Sequence, residues 1–213
     1  MPLLTPIFDF DGTVADTMSA YARAWNQVAP SYGLRSITTG EVNRLRHENP
    51  GRVMKYLGLS RWRLPSVVRR LHRELHEHID RLDCFPGIRE ALAELKSRGH
   101  ILGIVSSNDR ANLDKFLRAR DLERFDFIYT AGRVFGKHSV LKSVLKKHGL
   151  GPDRAIYVCD EVRDVQAAHR AGLRVLAVSW GFNSRQALEK ENPEALAESP
   201  GDLAPLIEQL SKA

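Results

Sequence analysis

Two aspartates one residue apart, Asp9 and Asp11, close a short apolar run (Leu3, Leu4, Ile7, Phe8) and lead into Gly12 and Thr13. Apolar runs of this kind read as buried strands. A carboxylate at the end of such a strand must be solvated or bound to a cation, because burying it bare is very costly. Two carboxylates at one strand end suit a hard cation such as Mg2+, which takes oxygen ligands. One of them can also act as a nucleophile, since Asp forms aspartyl-phosphates. Taken alone, the segment can also be read as a capped turn, with Asp11-Gly12 reversing the chain.

Three further groups have complementary chemistry. The apolar run 101–105 ends in Ser106, Ser107 and Asn108, the run 155–159 ends in Asp160, Glu161 and Asp164, and Lys137 follows Gly136 at the start of a helical pattern. In open parallel sheets ligands bind beyond the carboxyl ends of the strands. One site there would combine carboxylates for a metal with hydroxyls, amides and a lysine for anionic oxygens. Singly, Ser106–Asn108 reads as a helix N-cap, Asp160 as a cap of the next helix, and Lys137 as a solvated lysine.

The elements that must position these groups alternate from residue 84 onward. Helical spacing marks Ile88–Leu95, Leu113–Leu117, Val140–Leu145, Val165–Ala171 and 202–211. Strands are expected at 101–105, Phe125–Thr130, 155–159 and Arg174–Ser179. Such alternation indicates an α/β domain with a mainly parallel, doubly wound sheet. Segment 16–83 lacks strands and reads as four helices, at 17–30, 40–48, 51–58 and 65–81, the last carrying the stripe Val67, Val68, Leu71, Leu75, Ile79 and Leu82. The simplest organisation is a core of 1–15 and 84–213 with a helical module, 16–83, inserted after the first strand.

The 213-residue chain, 43% hydrophobic, has enough apolar content for a packed core. Its two cysteines, Cys84 and Cys159, lie far apart without metal-type spacing and read as reduced thiols of a cytoplasmic protein. No signal-peptide pattern is visible, and no apolar run reaches the about 18–20 residues that span a bilayer. Of the net charge of +6, segment 16–83 holds +5. That excess either attracts anions or is a solvated helical face.

Asp9-Phe10-Asp11-Gly12-Thr13, Ile104-Val105-Ser106-Ser107-Asn108, Lys137 and Asp160-Glu161-Val162-Arg163-Asp164 occur in the order of the four motifs of the haloacid dehalogenase-like hydrolase superfamily, which the chain resembles over essentially its whole length. Ala167–Gly172 and Ser179–Asn183 resemble its phosphoglycolate phosphatase-like branch, whose cap is a helical insertion in this place. The resemblance implies a Rossmann-like core and a Mg2+-dependent phosphatase of a small phosphomonoester. Asp9 would be the nucleophile and Asp11 the general acid and base. The metal would lie among Asp9, the Asp11 carbonyl, Asp160 and Asp164, and Ser106 (or Ser107) and Lys137 would bind the phosphoryl oxygens. Two positions depart from the pattern. Cys159 replaces a glycine and either crowds the site or fills it as a small apolar residue. Glu161 replaces a small hydroxyl residue and either adds charge near the metal or sits on a helix N-terminus.

A phosphomutase of the same fold would use the same two aspartates. A polyanion- or nucleic-acid-binding protein could use the basic insertion, although aromatics are not interleaved there as in a stacking platform. Arg46, His47 and Arg52 flank a Pro50-Gly51 turn and are candidates for contact with the non-phosphate end of a substrate, or are exposed charges. His72, His76 and His78 read as a solvated helix face, since His-Glu-x-x-His spacing is absent.

Overall fold

The computed structural model describes residues 3–122, 124–131 and 136–212. Six strands, β1 (Thr5–Phe8), β2 (Gly103–Ser106), β3 (Phe127–Thr130), β4 (Ala155–Cys159), β5 (Arg174–Val178) and β6 (Ala195–Ala197), form one sheet in the order β3-β2-β1-β4-β5-β6. Every neighbouring pair is parallel. Parallel strands covered on both faces need apolar residues on both, and the side-chain alternation supplies them. Ile156, Val158, Leu176 and Val178 face one cluster. Ala155, Tyr157, Cys159, Val175 and Ala177 face the other.

Helices cover both faces. Helices α5 (Ile88–Ser97), α6 (Arg110–Ala119) and α10 (Leu203–Lys212) bury Leu92, Leu95, Leu113, Phe116 and Ile207 against the first cluster. Helices α7 (Lys137–Lys147) and α8 (Val162–Arg170) bury Leu141, Val144, Val165 and Ala168 against the second. Each fully buried aliphatic side chain of this kind contributes about 1.5–3 kcal/mol. The doubly wound parallel sheet expected from the sequence is therefore the observed fold. After β1 the chain builds outward through β2 and β3, then returns to place β4 on the other side of β1. The resulting crevice lies between the carboxyl ends of β1 and β4, where Phe8 pairs with Val158.

Between β1 and α5 lie four α-helices, α1 (Met18–Val28), α2 (Thr39–Leu45), α3 (Pro50–Leu57) and α4 (Leu64–His76). They share an apolar cluster of their own that includes Trp25, Val28, Leu57, Val67, Leu71 and Leu75. Local signals fix their ends. Thr38 and Glu41 form a reciprocal capping box on α2, and Asn49 accepts from the Arg52 amide at 3.0 Å ahead of Pro50. The chain leaves and re-enters the sheet layer at adjacent points, where Ala15 bridges to Cys84 and the Asp16 amide donates to the Asp83 carbonyl at 2.9 Å.

Three details differ from the expected elements. Helix α4 ends at His76 and a single tight turn covers Ile79–Arg81, so the expected stripe divides. Val67, Leu71 and Leu75 pack in the cluster shared by α1–α4, whereas Ile79 is buried in the cluster under the sheet. A short helix, α9 (Arg185–Glu189), and the three-residue edge strand β6 are additional.

Candidate active site

The loop after β1 carries Asp9 and Asp11, both buried. Gly12 has φ +77°, a conformation glycine adopts without steric cost. A Cβ at Gly12 would overlap the Asp160 carboxylate and the Phe182 ring, and one at Gly181 would overlap Asp160 and the Gly12 carbonyl. Two glycines thus let the ends of β1 and β5 close around the aspartate that ends β4.

Lys137, the first residue of α7, reaches back under the sheet end. Its Nζ lies 2.9 Å from Asp9 Oδ2 and 2.6 Å from Asp164 Oδ2, and all three side chains are at most 5% exposed. The Phe10 amide donates to Asp9 Oδ1 at 2.8 Å. Oxygens of Asp9, Glu161 and Asp164 lie within 4.8 Å of one another. Asp160 sits behind them: its carboxylate accepts from the Thr13 hydroxyl at 2.8 Å and from the Phe182 amide at 2.6 Å.

The charges in this pocket are unbalanced. Burial raises the Asp9 carboxyl well above the usual range against the pull of Lys137, and Asp164 and Asp160 raise it further. Burial and Glu161 push Asp160 up to about 8. For Asp164 burial acts the same way, but Lys137 and Arg163 outweigh it and hold the carboxyl low. Desolvated carboxylates in excess over nearby cations are what a divalent ion would neutralise.

Asp11 is set apart from this group. Its carboxylate accepts from Asn108 Nδ2 at 2.9 and 3.2 Å. Burial raises its pKa, opposed by His72 and by the Asn108 hydrogen bond. A carboxyl that keeps its proton more readily than usual is suited to general-acid work. Tyr21 of α1 stands beside it, its phenol pushed up by burial and by the Asp11 charge. The Tyr21 ring makes edge contacts with His72 of α4 and with Phe182.

The sequence candidates thus separate. Asp9, Lys137, Asp164 and Glu161 come together directly, with Asp160 behind them and Asp11 two residues along the loop. Ser106 is fully buried, its Oγ accepting from the Asn108 amide at 3.1 Å, while Ser107 is part-exposed. Arg46 uses its guanidinium on the carbonyls of Phe182 (3.3 Å) and Ser179 (3.4 Å). Its own carbonyl accepts from the Ser184 amide at 2.9 Å and from Asn183 Nδ2 at 3.2 Å. Arg52 and His47 are exposed, and Arg52 is paired with Glu48. Cys159 is a buried apolar residue of the sheet core, its thiol raised by burial. His72 is not on a solvated face. It is 6% exposed, held between Tyr21 and Asp109.

Sequence reasoning assigned no role to Tyr21, His72 or the loop Ser179–Ser184. The spacing Trp180-Gly181-Phe182-Asn183 directly after a strand was the available signal. That loop joins Asp160 to Arg46, since Asn183 also donates its amide to the Asp160 carbonyl at 3.2 Å.

The haloacid dehalogenase-like hydrolase model matches residues 6–178. The chain belongs to this family. It is 37% identical to the phosphoglycolate phosphatase of Synechococcus elongatus, over 97% of this chain and 98% of that one. It is 25% identical to the pyrophosphatase PpaX of Bacillus cereus over the full length of both. Among solved structures, a haloacid dehalogenase-like hydrolase of Streptococcus pneumoniae superposes with a TM-score of 0.79 at 24% identity, covering 96% of this chain and 98% of that one. CbbY of Rhodobacter sphaeroides, solved with phosphate, gives 0.73 at 24% identity, covering 94% and 96%. The chain is accordingly a hydrolase of phosphoesters, and no helix among its described residues is long and apolar enough to cross a membrane.

Proposed function

We propose that this hydrolase cleaves small phosphomonoesters, phosphoglycolate-type acids foremost, through an aspartyl-phosphate on Asp9. The observation that carries this is the contrast between two carboxylates on one loop. Asp9 is gripped by Lys137 within a cluster built for cations, while Asp11 is held apart by Asn108 with its pKa raised. Environments that push two carboxyls into different roles are how one site runs both nucleophilic and acid steps.

A carboxylate oxygen of Asp9 attacks phosphorus, and the bond from phosphorus to the ester oxygen breaks. Asp11 gives its proton to that oxygen, so the leaving group departs as an alcohol. Asp11 then takes a proton from a water, whose oxygen attacks phosphorus and frees Asp9. Lys137 and Ser106 bind the phosphoryl oxygens, and Lys137 also holds Asp164 against the nucleophile. Asp9, Glu161 and Asp164 fit Mg2+, which Asp160 and the Asp11 carbonyl would help to hold and which when bound would neutralise repulsion between the nucleophile and the phosphate.

The segment 16–83 is read as a cap over a core of 1–15 and 84–213. Tyr21 and His72 stand on its site-facing side, and Arg46 docks it to the Ser179–Ser184 loop. Arg46 is therefore assigned to docking, and His47 to the rim beside it. Arg52 is left as a rim charge. Arg35, Arg52 and Arg70 are paired with Glu41, Glu48 and Glu74, which supports a solvated cap surface over a polyanion site. The full-length likeness to the Synechococcus enzyme supports the phosphoglycolate class. The unpaired thiols Cys84 and Cys159 support a reducing, cytoplasmic setting.

The test is release of inorganic phosphate from a panel of small phosphate esters, with and without Mg2+, by the wild type and Asp9→Asn. Turnover that requires both Mg2+ and Asp9 is expected. Undiminished release by Asp9→Asn removes Asp9 as nucleophile, and isomerised sugar phosphate without free phosphate would mark a mutase.

A further inference from the structure

Hydrogen bonds run without a gap from helix α4 of the insertion to the Asp11 carboxylate. His76 Nδ1 meets Asn112 Oδ1 at 2.6 Å, and because an amide oxygen only accepts, the imidazole proton sits on Nδ1. Asn112 Nδ2 donates to the His72 carbonyl at 3.2 Å and to Asn108 Oδ1 at 2.8 Å. Asn108 Nδ2 in turn donates to both Asp11 oxygens.

Each member has its orientation fixed by the next. Asn112 uses both amide protons and its oxygen, so a flipped amide would set donor against donor and acceptor against acceptor. The Asp109 amide donates to Asn108 Oδ1 at 2.8 Å and holds that amide the same way round. Asn108 and Asn112 are 0% and 1% exposed, so water cannot take the place of a lost partner. Buried amides of this kind are costly unless fully satisfied, and α6 packs its other buried positions with Leu113, Phe116 and Leu117.

The satisfaction of Asn112 depends on α4. Two of its three hydrogen bonds go to that helix, one to the His76 side chain and one to the His72 backbone, and the third goes toward Asp11. We propose that Asn112 is a positioning residue that makes the orientation of Asp11 depend on the seating of α4. With the cap seated, Asn112 locks Asn108 and Asn108 aims the Asp11 carboxyl. With α4 displaced, Asn112 loses two partners and Asn108 is free to turn. The contacts stand on the geometry, and only their kinetic consequence rests on the phosphatase reading.

The test uses the full chain as Asn112→Ala, with His76→Ala as the second variant should the first not fold. The first readout is independent of activity: water exchange of the Asn108 side-chain amide protons, followed by NMR. Either variant is expected to accelerate it about tenfold while the backbone amides of 155–159 keep their wild-type rates. Unchanged Asn108 exchange overturns the proposal, and so does equal acceleration of 155–159, which would be general loosening.

The second readout is kinetic, with p-nitrophenyl phosphate and Mg2+. Asn112→Ala is expected to lower kcat about tenfold with KM inside about twofold, and to add less than about twofold in an Asp11→Asn background. A loss carried in KM, or the same fold-loss in both backgrounds, overturns it. A wild type without phosphatase activity would refute the proposed function instead, and the exchange experiment would still decide this inference.

Discussion

Replacing Lys137 by Met removes one cation from between two carboxylates, Asp9 and Asp164, that are 4% and 3% exposed. Methionine fills most of the lysine stem, so the cost is electrostatic. Breaking a buried ion pair by deleting one partner costs about 3–5 kcal/mol, because the remaining charge is left desolvated. Here both contacts, at 2.9 and 2.6 Å, end on the same ammonium. With an m-value of about 2 kcal/mol per molar urea, the midpoint should fall by about 1.5–2.5 M.

The loss should also depend on pH. Burial already raises Asp9, which rises further without Lys137, and Asp164 loses one of the two cations that hold it low. A folded pKa above the unfolded value of about 3.9 means that destabilisation is full at high pH and is relieved as pH falls. The gap between variant and wild type should therefore narrow from about pH 8 to pH 5. Phosphatase turnover should fall by at least about 10²-fold, as when one preorganised donor is lost from an anion site. Urea unfolding in EDTA, followed by tryptophan fluorescence, measures the first two effects. A midpoint shift below about 0.3 M, or a gap that widens toward acid pH, would refute this reasoning.

Gly12→Ala should cost more than about 1 kcal/mol and abolish most activity, because φ +77° and the Asp160 contact both oppose a methyl; thermal unfolding and phosphate release check this. Arg46→Ala should expose the Ser179–Ser184 loop and raise KM, whereas Arg52→Ala should leave KM within about twofold, as steady-state kinetics would show. Tyr157→Phe should cost about 1 kcal/mol in urea unfolding, because the phenol donates to the Val105 carbonyl at 2.9 Å inside the core. For Asp126, burial is outweighed by Lys96 and the Leu102 amide, so its folded carboxyl lies low and its contribution is present above the unfolded pKa and lost as pH falls through the folded one. Asp126→Asn should be less stable than the wild type at neutral pH, with the difference vanishing below about pH 3 in unfolding titrations.

The core was legible because its signals are local and repeated. Strands such as Ala155–Cys159 are buried on both faces and read as unbroken apolar runs, and Gly99 and Gly172, just past helices α5 and α8, have φ +86° and +82°. Strand β6 was not legible: Ala195–Ala197 is short, at the sheet edge, and flanked by acids. The end of α4 was hidden because Ile79 continues the helical spacing of Leu71 and Leu75 while packing into a different cluster. At the site, the strand-end carboxylates and Lys137 announced themselves by residue type. His72 and Asn112 did not, because a buried polar side chain is indistinguishable in sequence from a solvated one until its partners, such as Asp109 or His76, are placed beside it. Glu161 showed its charge in sequence, but only the fold turns that charge toward Asp9.

The central claim is that the phosphoryl group passes through Asp9. The most direct measurement is mass spectrometry of Asp11→Asn protein, in which hydrolysis of the intermediate is slowed, acid-quenched during turnover with a phosphate ester and Mg2+. One phosphoryl group on the peptide containing Asp9, absent from an Asp9→Asn control, is the predicted result. Phosphate release in a single turnover with no such adduct would contradict it.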